Sequence, residues 1–294
     1  MFIDIHGHAV QEKTCPFPQT GKQLISTPDV LIGRYDQVGI ERAVILPLLT
    51  PENTHIMQSN EEVLRMAANF PGRFIPFCNL DPRACYNSSF APLAKVLAYY
   101  RDKGCRGVGE VTANLSILDP RVQNLFAAAE ETGLPLTFHL SPFMGNLYGL
   151  IDDSGLPGLE LSLKRFPKLK FFGHSQTFWA EIGPNTSLPE RMGYPKGKIA
   201  PEGRIPKLMR EHENLYGDLS AGSGCNALTR DPEYAVKFLN EFQDRLFFGT
   251  DICCPEHLDT PLVDFLLDLR QKGAISETVF QKVARENAIR VLGL

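Results

Sequence analysis

The sequence predicts a (β/α)8 TIM barrel, an α/β ring of eight parallel strands with helices packed outside. Three observations predict it. Short apolar runs rich in β-branched or aromatic residues alternate eight times with stretches of helical period, and such alternation pairs strands in parallel through right-handed crossovers. The strand candidates are nearly continuous apolar runs, as strands buried on both faces are. The chain has 294 residues, and a barrel commonly fills about 250 as one domain. Residues 1–294 are therefore read as a single domain, with an open doubly wound sheet as the runner-up.

The first strand is Phe2–His6, followed by a helix over Pro28–Val38 with Thr27 as its cap and proline at its first position. Ala43–Leu49 is the second strand and Ser59–Phe70 the second helix, stopped by Pro71-Gly72. Phe74–Leu80 is the third strand, with a helix over Ala91–Asp102 that stops at Gly104. Arg106–Glu110 and Pro135–Leu140 are the fourth and fifth strands, separated by a helix over Pro120–Thr132 ending at Gly133. After a helix over Leu156–Phe166 come the sixth strand, Leu169–His174, and an irregular stretch rich in Pro and Gly, Thr177–Pro206. So long a loop at the C-terminal end of a barrel strand is expected to be a lid or binding loop. Asn214–Ser220 and Arg245–Asp251 are the last two strands, flanking a helix over Pro232–Phe242. Leu258–Lys272 and Ser276–Leu292 close the chain as two helices, one more than the barrel needs.

Composition excludes several classes of function. Thirty Lys and Arg against 34 Asp and Glu give a net charge of −4, which offers no basic field for nucleic acid. No apolar run approaches the ~18 residues of a membrane helix, and the N-terminus carries no signal-peptide pattern. The seven cysteines are scattered, odd in number and without a Cys-x-x-Cys pair, so reduced thiols in a cytoplasmic protein are expected rather than a disulfide framework.

The chemistry concentrates at the strand ends. His6 ends the first strand and His8 follows it; Glu110 ends the fourth, His139 the fifth, His174 the sixth and Asp251 the eighth. In a parallel barrel these ends open on one rim. A single rim histidine usually only makes a hydrogen bond, but here four of the chain's seven histidines converge there with two acids. The His-x-His spacing directs both imidazoles to one face of an extended segment. With a third histidine and a carboxylate from other strands they suit Zn²⁺ or Mn²⁺, one per chain or two, with a position left open for water.

The same residues carry a family resemblance. Asp-Ile-His-Gly-His at 4–8, Lys168-Leu-Lys-Phe-Phe-Gly-His174 and Phe248-Gly-Thr-Asp251 resemble the amidohydrolase superfamily, as do Asn60-Glu-Glu-Val, Phe70-Pro-Gly-Arg-Phe74 and Glu286-Asn-Ala-Ile. The chain is most similar to the amidohydrolase-2 branch, which includes aminocarboxymuconate-semialdehyde and γ-resorcylate decarboxylases. The resemblance implies His6, His8, His139 and Asp251 as metal ligands. It implies for His174 a role in proton transfer or substrate polarisation, or as ligand of a second metal. Some superfamily members carry a bridging lysine or glutamate where Glu110 stands, whereas decarboxylase-like members generally do not; the alternative for Glu110 is a hydrogen bond to a neighbouring loop. The family's arginine after the second strand, which grips an acidic substrate, has no match here, and His55 falls in that region. Members often pair, so a homodimer is expected on the resemblance alone.

With His55, two other residues complete the candidate site, and a nearby cysteine stays outside it. Trp179 lies just past His174 and either walls a pocket or packs the lid; Asp218 ends the seventh strand and either meets substrate or holds a loop amide. Cys253 follows Asp251 but has no activating histidine in view. A metal lowers the pKa of bound water towards ~7, with Asp251 accepting a proton and His174 exchanging one. This apparatus serves a hydrolase of an amide, lactone or ester of a small molecule, the reading that Glu110 favours through a two-metal site. It also serves a nonoxidative decarboxylase or hydratase of a small carboxylated aromatic or unsaturated acid. A third reading is an inactive metal-binding barrel. Neither nucleic acid nor membrane is an expected partner.

Overall fold

The computed structural model describes residues 1–184 and 186–294. The strands among them are β1 (Phe2–Gly7), β2 (Ile40–Ile45), β3 (Phe74–Pro76), β4 (Val108–Val111), β5 (Leu136–Ser141), β6 (Leu150–Ile151), β7 (Phe171–His174), β8 (Leu215–Asp218) and β9 (Leu246–Phe247). All pair in parallel, in the orders β1-β2-β3 and β4-β5-β7-β8-β9, with β6 beside the end of β5.

Two seams join the sheets into a ring. At the first, Cys78 bridges to Val108, its N–H donating to Gly107 O at 3.0 Å while Gly109 N–H donates to Cys78 O at 2.8 Å. At the second, Ile5 N–H donates to Phe248 O at 3.1 Å, Asp251 N–H to His6 O at 2.7 Å and His8 N–H to Ile252 O at 3.2 Å. The second seam also fixes the distance between the His-x-His segment and Asp251. Ile3, Ile5, Ile75, Phe77, Phe172, Tyr216 and Phe247 from around the ring share one buried cluster. Side chains from opposite strands meet only inside a ring, so the barrel's centre is packed. A larger cluster lies between the strands and the helices.

The expected helices form, and their ends show why. Ser59 Oγ accepts from Glu62 N–H at 3.1 Å and Asp119 Oδ1 from Arg121 N–H at 2.9 Å, satisfying donors that a helix start leaves free. Proline opens the helices Pro28–Val38, Pro120–Thr132, Pro157–Arg165, Pro232–Glu241 and Pro261–Gln271, where its missing N–H has no consequence. Thr27 stands at the cap position but its side chain makes no capping bond.

Several expectations need adjustment. β9 is shorter than the run Arg245–Asp251 because Phe248 N–H leaves the ladder for Val283 O at 2.9 Å, on the π-helical turn Lys282–Glu286. That turn also divides the last helix into Glu277–Gln281 and Asn287–Leu292. The stretch 177–206, of which Asn185 lies outside the described residues, is not structureless. It begins in the buried helix Gln176–Ala180, contains Leu188–Arg191 and ends inside Arg204–Glu211. The helix Ala221–Thr229 was hidden from the periodicity by Gly222 and Gly224; a Cβ on Gly224 would lie 2.3 Å from Leu219 O, so close packing requires glycine there. Among the described residues no helix is long and apolar enough to cross a membrane.

Candidate metal centre

The six rim residues meet at the C-terminal end of the barrel: His6, Glu110, His139 and His174 lie on strands, and His8 and Asp251 on the segments that follow β1 and β9. His139 and His174 are register partners on β5 and β7, so their rings sit side by side with centroids 5.3 Å apart. His6 and His174 rings are 4.3 Å apart and His6 and His8 5.2 Å. Asp251 leaves the barrel in a left-handed conformation, φ 55°, which aspartate tolerates better than most residues.

Around His6 and His8 the geometry is that of a cation site. His6 Nδ1 donates to Asp218 Oδ2 at 2.6 Å and His8 Nδ1 to Leu46 O at 2.9 Å. Acceptors at both Nδ1 atoms hold the protons there and leave each Nε2 lone pair free for a metal. Asp251 Oδ1 lies 3.6 Å from His6 Nε2 and 3.4 Å from His8 Nε2; Glu110 Oε2 lies 3.7 and 3.8 Å from the same atoms. Donors bound at ~2.0–2.2 Å in a tetrahedron stand about 3.3–3.6 Å apart. His6 Nε2 is buried without a hydrogen-bond partner, an arrangement that a bound cation relieves.

Glu110 faces a second group with its other oxygen. Its Oε1 lies 2.7 Å from His139 Nδ1 and 3.7 Å from His174 Nε2, and Asp251 Oδ2 is also 3.7 Å from His174 Nε2. Ser220 Oγ and His174 Nδ1 are hydrogen-bonded at 2.9 Å, which fixes that ring. The sequence grouped His139 with His6, His8 and Asp251. The structure puts Glu110 beside His6 and His8, and places His139 with His174 across the Glu110 carboxylate.

The charges follow from burial against pairing. Burial works against ionisation of all these groups. With no cation bound, His6 nevertheless sits well above the ordinary histidine range, because Asp218 and Asp251 outweigh its burial, and a metal would take the place of its Nε2 proton. His139 and His6 likewise hold the buried Glu110 carboxyl well below its ordinary value, and Asp251 is brought down to about 2 by His6, His8 and His174. His174 goes the other way, to about 4, through burial and the neighbouring His6 charge. Asp4 is raised to about 6 by burial, although it accepts from Thr250, Tyr35 O–H and His6 N–H. These bonds tie β1 to the segment that carries Asp251.

The family described as Amidohydrolase, the amidohydrolase-2 family, matches residues 3–294. The chain belongs to the amidohydrolase-2 family. No curated protein matches it by sequence. Solved structures similar to this amidohydrolase include an uncharacterized TIM-barrel protein from Bordetella bronchiseptica, with a TM-score of 0.67 and 19% identity over 99% of this chain and 98% of that one. A probable 2-pyrone-4,6-dicarboxylic acid hydrolase from Acinetobacter baumannii gives 0.59 and 12% over 100% and 99%. A 2,6-dihydroxybenzoate decarboxylase from Rhizobium gives 0.59 and 16% over 99% and 98%. At such identities the likeness establishes the TIM-barrel fold. Family and site together make this member of the family a metal-dependent enzyme whose buried His, Glu and Asp cluster suits a metal.

The remaining candidates fall elsewhere. Trp179 is buried, with its indole N–H donating to Asp218 O at 2.8 Å; it is a core residue of the amidohydrolase barrel and not a pocket wall. Asp218 is fully buried behind His6, hydrogen-bonded at its Nδ1, and meets no open cavity. His55 is exposed and its Nε2 donates to Cys15 O at 3.0 Å, outside the cavity wall. Cys253 Sγ lies 3.4 Å from Asp251 Oδ1, and burial and that carboxylate push its thiol pKa well up, away from a nucleophilic thiolate.

Tyr148 is the site residue that sequence reasoning missed. It lies between two cavities of about 220 and 190 Å³, one reaching His8, Glu110 and Asp251 and the other reaching His139. Its ring stands 4.6 Å from that of His139. Asn114 clamps its loop, donating to Phe143 O at 3.3 Å and Gly149 O at 3.2 Å and accepting from Gly145 N–H at 2.6 Å. Tyr148 is about one-third exposed, and its partial burial, then Glu110 and Asp251, raise the phenol pKa, so the hydroxyl stays a donor. The available signal was the pair Gly145 and Gly149 close after His139. Gly149, at φ 107°, has room for no Cβ: one would stand 2.8 Å from His139 Cδ2.

Proposed function

We propose that the protein is a metal-dependent hydrolase acting on an amide, lactone or ester of a small molecule. The observation that carries this reading is Glu110, whose two oxygens face two histidine pairs, His6 with His8 and His139 with His174. A carboxylate so placed would serve one cation at Oε2 and, once His139 turns out of its 2.7 Å hydrogen bond, a second at Oε1, a donor set of nitrogen and oxygen that fits Zn²⁺ or Mn²⁺. His6, His8, Glu110 and Asp251 would hold one; Glu110, His139 and His174 the other.

A divalent cation, when bound, supplies Lewis-acid polarisation and brings the pKa of water down towards ~7. The protein's own residues supply the rest. Asp218 and Leu46 O orient the two imidazoles of the His-x-His segment. The Asp251 carboxylate, ionised down to about 2 and partly open to the cavity, accepts the proton of the attacking water at its Oδ atoms. It can then return that proton to the leaving group. Tyr148 O–H faces the same cavity as a neutral donor to a developing negative oxygen.

The names of the similar structures include both hydrolase and decarboxylase, so the test must separate the two. Metal-loaded protein is assayed on panels of amides, esters and lactones and on carboxylated aromatic acids, following acid release and CO₂ separately. Acid release lost in Glu110→Gln supports the proposal. CO₂ release with solvent hydrogen incorporated at carbon, and no cleavage of any ester, lactone or amide, refutes it. Absence of any metal-dependent turnover in either panel leaves the inactive barrel.

A further inference from the structure

The cavity beside Glu110 and Asp251 is about 220 Å³ and has three kinds of wall. His8, Glu110 and Asp251 form the face that carries the chemistry. Phe17, Leu24, Ile25 and Leu48 form the apolar face, and Leu24, Ile25 and Leu48 belong with Val10 to a small apolar cluster of their own. Asn53, Tyr148 and Cys253 contribute only uncharged polar groups. Among the described residues no lysine or arginine lines it.

The neighbouring cavity of about 190 Å³, reached past Tyr148, has Arg191 in its wall. That guanidinium is buried and belongs to the second cavity: its Nε is ion-paired with Glu181 Oε1 at 3.3 Å without a hydrogen bond, and its Nη2 donates to Asp152 O at 2.8 Å. The hydroxyls of Ser141 and Thr177 there are also spent, on Phe143 O and Arg191 O. Tyr148 O–H, between the cavities, has no partner among the described residues, so the donor it offers to a ligand in the first cavity is neutral.

A carboxylate carried on the substrate away from the reacting bond would be buried against the apolar face without a lysine or arginine partner. Such a charge is strongly disfavoured unless paired. An apolar group, by contrast, gains from being taken out of water against Phe17, Leu24, Ile25 and Leu48.

We propose that this cavity is the acyl pocket of the enzyme and that it takes an uncharged, apolar acyl group, with Tyr148 O–H donating to the carbonyl oxygen. The substrate class is then a neutral amide, ester or lactone, not a dicarboxylic or carboxylated aromatic compound. This rests on the hydrolase reading for its chemistry, but the pocket's preference is measurable without turnover.

The test is binding of two hydroxamates to the zinc-loaded protein, hexanoyl hydroxamate and the monohydroxamate of adipic acid. They share the metal-binding group and differ by one terminal carboxylate. Calorimetry is expected to find the neutral compound bound about 10²-fold more tightly or better. The variant Leu24→Lys, at a partly exposed position, is expected to narrow that ratio by at least about tenfold, which a general loss of folding would not do. Equal binding of the two, or preference for the adipic compound in the wild-type protein, overturns the proposal while leaving the hydrolase reading intact. A parallel assay on ethyl hexanoate and monoethyl adipate separates the two claims. Cleavage of both at equal kcat/KM sinks the acyl preference alone. Cleavage of neither, with CO₂ released from carboxylated aromatic acids, sinks the hydrolase reading and this proposal together.

Discussion

Asp218→Ala isolates what a residue outside the metal's reach does for the metal. Asp218 Oδ2 accepts from His6 Nδ1 at 2.6 Å, and both side chains are fully buried. Without that carboxylate the imidazole N–H is left without an acceptor and no longer fixed in tautomer. A hydrogen bond to a charged group contributes ~1.5–3 kcal/mol, and each 1.4 kcal/mol is about tenfold in an equilibrium constant. The variant should bind Zn²⁺ about 10- to 150-fold more weakly, within reach of the 10- to 100-fold typical of such partners. Asp218→Asn keeps an acceptor and loses the charge, so it should fall near the weak end, about tenfold. The assay is competition for zinc against a chelator of known affinity, with thermal melts of the metal-free proteins to correct for folding. Zinc affinity within twofold of wild type in Asp218→Ala, together with a raised KM, would refute the reasoning and return Asp218 to the substrate.

Further outcomes follow from the same geometry. Tyr148→Phe should keep its full metal content but lose roughly tenfold or more in kcat/KM, since one hydrogen bond to a developing charge is removed; an unchanged rate constant removes Tyr148 from the reaction. Gly149→Ala would set a Cβ 2.8 Å from His139 Cδ2 at φ 107°, and should lower stability by ~1–3 kcal/mol and displace His139; a melt equal to wild type contradicts this. For metal-free protein, His174 titrates near 4 in the fold against its ordinary 6.5. The unfolded chain therefore takes up a proton that the folded imidazole refuses, and stability should fall as pH drops from about 6.5 to about 4, by up to roughly 3 kcal/mol. His174→Asn should show a correspondingly shallower acid limb, and an identical limb would exclude His174 as its source.

The barrel was legible because periodicity reports burial on both faces, and the strand order needed only the parallel rule. The rim residues were legible for the same reason: once a strand's end is known, its last side chain is placed. What escaped was whatever depends on groups with no one-dimensional signature. His8 is held by a backbone carbonyl, Leu46 O, which no residue type announces. That Glu110 Oε2 faces His6 and His8 while its Oε1 faces His139 and His174 could not be read either, because it depends on which oxygen faces which ring. Trp179, next to His174, could be read as a pocket wall or as packing of the lid; it lies in the core, past the turn at Ser175, φ 111°, with its indole N–H on Asp218 O. Tyr148 sits in a short loop without period, and only the clamp by Asn114 brings it over His139.

The central claim is that Glu110 is shared between two cations. Elemental mass spectrometry of the purified chain, as isolated and after dialysis against zinc, tests it directly. Close to two metals per chain are expected in the wild-type protein and about one or fewer in Glu110→Gln. One metal per chain that survives Glu110→Gln unchanged, held by His6, His8 and Asp251, would contradict it.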